Sequence, residues 1–396
     1  MAPPCGSRRT WSRVVKMTLC LFFLAPMSSA GIKNTNTVFS KKQKVEVPKQ
    51  LKRLNKPALK TIESPDGDII DCVDIYKQPA FDHPLLKNHT IKMRPSSYPE
   101  GFSFDESNNV SSNSKPEITQ PWHLNGRCPE GTIPIRRTKE KDLLRAYYGR
   151  KKLSAFPDAD TSIHEYSQIT EDGERYYGMN AEINVWNPQT EAPDEFSLAQ
   201  SWIAGHDDNR NVIDTIEAGL MVFIISSSDG YASTGCYNLD CPGFVQVDNR
   251  IAMGASVTPY SEYGGEQHSM NFFIWKDNVE GHWWLHLNNM YLLGYWPSSL
   301  FSVLSNCASK FTWGGEVVNL NIGGQHTTTE MGSGHFAEEG PNRASYFQNL
   351  KVIDAEQFLR GPRDNHRIVT HPNCYNFLKG DDFFYYGGLG RSLICP

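Results

Sequence analysis

The 396-residue sequence lacks the signatures of most hydrolase classes. It has no GxSxG elbow, and MGSGH (Met331–His335) does not make one. It has no HExxH pair and no paired, short-spaced Cys/His sets, so no motif points to a metal or other cofactor. A Ser–His–Asp triad assembles in space and leaves no spacing to read, and nothing here speaks for one. No later stretch approaches the ~20 apolar residues of a transmembrane helix. Helical periodicity is scarce, and no internal repeat occurs.

Charge is present but divided. Residues 1–157 carry 27 Lys+Arg against 14 Asp+Glu (+13), and residues 158–396 carry 12 against 30 (−18). A domain so acidic is a poor partner for nucleic acid. A basic part beside an acidic one suggests that the first covers the second; two independently solvated surfaces are the alternative.

The N-terminus reads as a secretory signal over 1–30. Arg8, Arg9, Arg13 and Lys16 precede the short apolar run Met17–Met27, and Ser28-Ser29-Ala30 offers a small-residue cleavage site. The mature protein is therefore expected to be secreted, with no membrane attachment once the signal is removed. Of nine cysteines, Cys5 and Cys20 leave with the signal. In an oxidising compartment, Cys236–Cys241 would staple a tight turn. Cys374–Cys395 would close the C-terminal tail, Cys72–Cys128 would lie inside the N-terminal part, and Cys307 is left over. Spacing alone does not fix these pairings. Asn88 and Asn109 open N-glycosylation sequons.

Residues 31–60 are Lys-rich and short of large apolar residues, the pattern of a disordered or removable leader. Residues 61–100 and 119–137 read as compact patches of brief strands or hooks. Residues 138–152 carry Leu143, Leu144 and Tyr147 at helical spacing, which predicts one short amphipathic helix. A linker follows near Pro157. From about residue 164, ten or so strand segments alternate with turn signals, among them FSLAQSWIAG, NVIDTIEAGLMVFII, AMGASVTPYS, FTWGGEVVNL and TTTEMGSGHF. The predicted class is all-β: an antiparallel sandwich over 158–396, preceded by a small, mostly irregular segment over 31–157.

The residues that stand out are carboxylates in apolar, glycine-bearing strands. Thr215, Glu217 and Gly219 share one face of VIDTIEAGL, and Glu316 follows Trp313-Gly314-Gly315. Glu is depleted in strands and rarely buried unpaired, and glycine lets another chain approach closely. A solvent-facing or salt-bridged Glu is the bland reading of each. Other candidates carry bland readings too. His282 and His286 flank tryptophans, which suits packing better than metal. His326 and His335 suit a polar network. Trp283, Trp284, Tyr295 and Trp296 suit either a pocket for a proline ring or the core.

Several segments resemble the neprosin family of plant secreted glutamic peptidases. They are CVDIYKQPAFDHPLLKNHT (Cys72–Thr90), IPIRR (Ile133–Arg137), TIEAG (Thr215–Gly219), TGCYNLDCPGFVQ (Thr234–Gln246), WGGE (Trp313–Glu316), HTTTEMGSGHF (His326–Phe336) and NCYN (Asn373–Asn376). The resemblance implies an activation segment acting as an intramolecular inhibitor, a catalytic sandwich, and two catalytic glutamates, here Glu217 and Glu316. It implies a secreted endopeptidase cleaving next to proline in the apoplast or cell wall, made as a zymogen; the acidic domain beside its basic leader fits activation by acid, as carboxylates lose charge. It supports the 236–241 and 374–395 pairings and leaves Glu330 a supporting role. Two carboxylates facing each other would share a proton at mildly acidic pH and activate water. The sequence departs from the family at one place. Leu220 replaces a Trp, and only Met221–Ser233 separates it from Thr234, a loss of about one hairpin. That shortening favours the alternative of a catalytically impaired binding protein; a third reading is a glycan-binding sandwich.

Overall fold

The computed structural model describes residues 17–24, 41–100, 119–140, 142–143, 163–192, 195–207, 212–221, 242–321, 324–363 and 365–396. One helix, α1 (Lys41–Leu54), precedes a three-stranded sheet of β2 (Ala58–Glu63), β3 (Ile69–Asp74) and β4 (Thr132–Arg136), in that order. A strand β1 (Met17–Leu24) comes before them in sequence. The leader expected over 31–60 is thus partly ordered. Lys52 and Arg53 in the last turn of α1 complement the negative end of the helix dipole.

Two larger sheets follow. The first holds β5 (His164–Tyr176), β7 (Ser197–His206), β8 (Val212–Met221), β13 (Ala308–Val318) and β16 (His366–Val369), in the order β1-β8-β7-β13-β5-β16. The second is built on β6 (Gly178–Asn184), β9 (Val245–Gln246), β10 (Ser269–Lys276), β11 (Trp283–Leu287), β12 (Tyr291–Trp296), β14 (Ser345–Ile353), β17 (Asn376–Lys379) and β18 (Phe383–Gly387). Its order is β17-β18-β14-β6-β10-β11-β12-β9, with β15 (Leu359–Arg360) beside β14. Among the described residues, all pairings between strands are antiparallel except β1 with β8. The fold is the expected all-β arrangement with an N-terminal pro-segment.

Period-two patterning sets the faces. Ile216, Ala218 and Leu220 of β8, Ile203 of β7 and Phe311, Trp313 and Val317 of β13 enter one core with Phe272, Ile274 and Trp284 of the second sheet. Trp283, Trp284, Tyr295 and Trp296 are all fully buried, so they are core residues. Two expected strands are loops. Ala252, Ala255 and Ile251 satisfy backbone groups on the Gln120 and Gln246 amides instead of a ladder. Thr327 and Thr329 turn their hydroxyls onto buried Glu195. The helix expected over 138–152 starts at Glu140, and most of it lies outside the described residues.

Disulfides join Cys72 to Cys128 and Cys374 to Cys395. Cys307, expected to be left over, is disulfide-bonded. Cys236, Cys241 and Asn109 lie outside the described residues, as does the boundary expected at 157/158. Asn88 is exposed.

The N-terminal part docks by apolar and neutral contacts more than by charge. Val73, Ile75, Ala80, Leu86, Ile133 and Ile135 belong to the main core cluster. The Gln78 amide binds the backbone of Gln246 through both of its atoms (2.8 and 3.1 Å). Its cations mostly pair at home: Arg136 with Asp68 and Asp142, Arg137 with Asp71, Lys56 with Asp82. Among the described residues, one ion pair crosses the seam, Lys92–Glu280 at 2.5 Å. The described seam therefore carries apolar and neutral contacts beside its charge pairing.

Candidate active site

The outward face of the first sheet carries the polar residues. Direct pairing places Glu217 beside Trp202 and Trp202 beside Thr312. It places Glu316 between Leu198 and Tyr166. Paired residues share a face, so Glu217 and Glu316 project from the same side of the sheet. They lie two strands apart and four residues along. On a flat lattice this is roughly 16 Å between Cα atoms. The two carboxylates therefore flank a gap, and are not in register as a hydrogen-bonded pair.

Between them runs one row of the lattice: Gly219, Gln200, Gly314, Gln168. The glycines of both motifs are required by close approach. A Cβ on Gly219 would stand 2.2 Å from Ala199 O, and one on Gly314, at φ +150°, 2.3 Å from Ser167 O. The result is a shallow furrow across the strands, floored by backbone and two glutamine amides.

Each glutamate has its own partners. Glu217 Oε2 accepts from Gln200 Nε2 (3.1 Å), and Oε1 accepts from Thr215 Oγ1 (3.2 Å). Glu316 Oε1 is hydrogen-bonded to His164 Nδ1. His164 packs between Tyr166 and Phe196. Burial, then Glu316 and then Glu217, push the Tyr166 phenol well above its usual range, so this hydroxyl feels both carboxylates and stays protonated. Half-buried Trp202 supplies an indole on the same face. Glu217 and Glu316 are only 2% and 3% exposed, while Trp202, Tyr166, His164 and Thr215 on the same face are half-buried.

The remaining candidates sit elsewhere. Glu330 Oε2 accepts from Gln189 N and clamps two loops, and burial raises its pKa. His326 bonds Glu165 behind the sheet, and His335 bonds Glu339. His286 lies in β11, where burial lowers its pKa to about 4. One three-residue group of donors clusters closely enough for a metal among the described residues, His326, Cys374 and Cys395. Both of its sulfurs are consumed in a disulfide.

Sequence reasoning missed His164, Tyr166 and Gln200. His164, Tyr166, Gln168 and Thr170 alternate with Glu165, Ser167 and Ile169, two of them polar, so the front half of β5 carries no clear period-two signal. Gln200 sat inside a strand already identified, with no motif to mark it.

Residues 193–389 match the Neprosin family, and residues 61–177 match the Neprosin activation peptide. The chain belongs to the neprosin family. The neprosin match contains Glu217, Gln200 and Glu316, and the activation-peptide match runs on through β5, so it includes His164 and Tyr166. A neprosin domain with its activation peptide marks a peptidase family made as zymogens, with the pro-segment as intramolecular inhibitor.

Proposed function

We propose that this chain is the zymogen of a secreted glutamic endopeptidase that cleaves peptide bonds next to proline. The observation that carries the reading is the glycine-floored furrow with one buried glutamate on each side. Separated carboxylates leave room for a substrate and a water between them, as they do in inverting glycosidases. Trp202 and Tyr166 give the face aromatic surfaces for a proline ring.

The partners divide the roles. Glu316, bonded to an imidazole, takes one proton from water as the water oxygen bonds to the peptide carbonyl carbon. The carbonyl π pair moves to its oxygen. As that pair returns, the C–N bond breaks, and Glu217, held by neutral donors, passes its proton to the leaving nitrogen. The water's second hydrogen stays on the new carboxyl group. Solvent returns the proton from Glu316 to Glu217.

A substrate cannot reach carboxylates only 2–3% exposed, so activation has to uncover them. Acid would act at the seam. His89 of the pro-segment stacks near His282 (5.6 Å) and bonds Tyr295 Oη (2.8 Å). Burial lowers both histidines, His282 to about 4 with His89 adding to the effect. Acidification charges both rings and drives the seam apart. Cleavage near Pro157 would then free the mature domain.

A second reading has its own observation. Among the described residues, the strand beside β8 is β1, from the proposed signal; no returning hairpin strand pairs there. Removing the signal would leave β8, which carries Glu217, as an edge, the situation of an impaired binding protein. Acid incubation of secreted precursor separates the two. A shorter mature chain that cuts a proline-containing peptide supports the peptidase; processing without cutting supports the binding protein.

A further inference from the structure

Resting on the two-glutamate reading, we propose that Gln200 is a positioning residue for the reaction: Nε2 fixes Glu217, and Oε1 holds the attacking water. Gln200 occupies the central strand of the furrow, directly between Gly219 and Gly314. It is two residues from the register partner of each glutamate, Trp202 on one side and Leu198 on the other. No other side chain of β7 stands between both carboxylates.

Its amide is half used. Nε2 donates to Glu217 Oε2 at 3.1 Å, while Oε1 is buried with no hydrogen-bond partner. A buried amide oxygen without a donor costs about 1–3 kcal/mol. The residue is 1% exposed and flanked by glycines, so only something entering the furrow can supply that donor. The chemistry assigns it. The Gln200 N–H can only donate, so it keeps Oε2 of Glu217 an acceptor; the Thr215 hydroxyl on Oε1 can turn its hydrogen away and accept, so Oε1 is where a proton is accommodated. The water between Glu316 and Gln200 gives one hydrogen to Glu316. The other remains on oxygen and is held by Gln200 Oε1, so the water's lone pair points at the carbonyl carbon.

The test uses acid-processed protein and a proline-containing peptide. Gln200→Met keeps the volume and removes both hydrogen bonds; kcat is expected to fall about 100-fold, as for loss of one oriented donor, with KM little changed. Gln200→Glu keeps the shape; it is an acceptor when ionised and regains a donor when protonated, so its activity is expected to recover as pH falls, moving the optimum to lower pH. A wild-type kcat in Gln200→Met, or a raised KM with unchanged kcat, overturns the proposal. So does a wild-type pH profile in Gln200→Glu, which alone decides the matter if the Met variant does not fold. An inactive Glu217→Gln beside a fully active Gln200→Met would overturn the role of Gln200 and leave the glutamates in place. A fully active Glu217→Gln would remove the reading beneath it.

Discussion

His282→Phe should blunt the acid response of the precursor. The wild-type imidazole stacks on Tyr295 at 5.0 Å, and a phenyl ring preserves that stack. It loses the bond from Ser298 N to Nδ1, an ordinary hydrogen bond of about 1 kcal/mol. What it mainly removes is titration. His282 is pushed from 6.5 down to about 4, by burial first and then by His89, against the pull of Glu280 and Asp277; Lys276 adds to the depression. A histidine lowered by docking has its full docking contribution above its free value. That contribution drains away as pH falls from 6.5 toward 4. Only the part of the shift owed to the pro-segment, with His89 as its one named charge, counts toward release, so at pH 5 the loss is on the order of 1 kcal/mol, or about fivefold in the ratio of docked to released pro-segment. The assay is the fraction of full-length chain processed in a fixed time at stepped pH, read by mass, with hydrogen exchange of residues 86–97 as the direct probe of release. The variant should need lower pH to process and should match wild type at pH 7. Coincident processing curves would refute the histidine mechanism.

Further outcomes follow from the same contacts. Asp277 accepts from Ser96 N and Ser97 Oγ of the pro-segment; burial raises its pKa, but these bonds and those from Val279 N and Glu280 N outweigh it and hold it low. Its stabilising effect is present above the ordinary carboxylate value and is lost only below it, so Asp277→Asn should increase exchange at Ser96 and Ser97 at neutral pH without changing release at pH 5. Joint replacement of Cys72 and Cys128 by Ser opens a loop spanning 56 residues and should cost the small sheet about 4 kcal/mol, seen as an earlier melting step. Gly219→Ala forces a methyl against Ala199 O and should cost about 1–3 kcal/mol, lowering Tm.

The legible parts of the sequence were short apolar runs set between turn signals. β7, β8, β10, β13 and β14 are apolar, aromatic-rich or glycine-bearing runs, and so the all-β class was readable. So was the placement of Glu217 beside Thr215 and Gly219 on one face. Segments whose backbone is satisfied by side chains misled, because Gly, Thr and Met in 252–258 and 326–336 mimic strand composition while Gln120, Gln246 and Glu195 replace the ladder. The C-terminal strands β15 to β18 are too short to carry a period. Charge balance pointed to a covering pro-segment but not to the apolar side chains that line the described seam: Lys56, Arg136 and Arg137 pair with acids of their own segment, while Lys92 reaches across to Glu280. The partners of the glutamates were invisible because His164 and Gln200 meet them only across strands.

The proposed two-glutamate peptidase is tested most directly by the acid-pH rate of cleavage of a proline-containing peptide by Glu217→Gln and Glu316→Gln. Each variant keeps the side-chain volume and removes the carboxylate. Loss of a general acid or base is worth about 100- to 10,000-fold. Both variants are therefore expected to lose at least about two orders of magnitude in kcat, with the folded β signal unchanged. Wild-type cleavage by either variant would contradict the account.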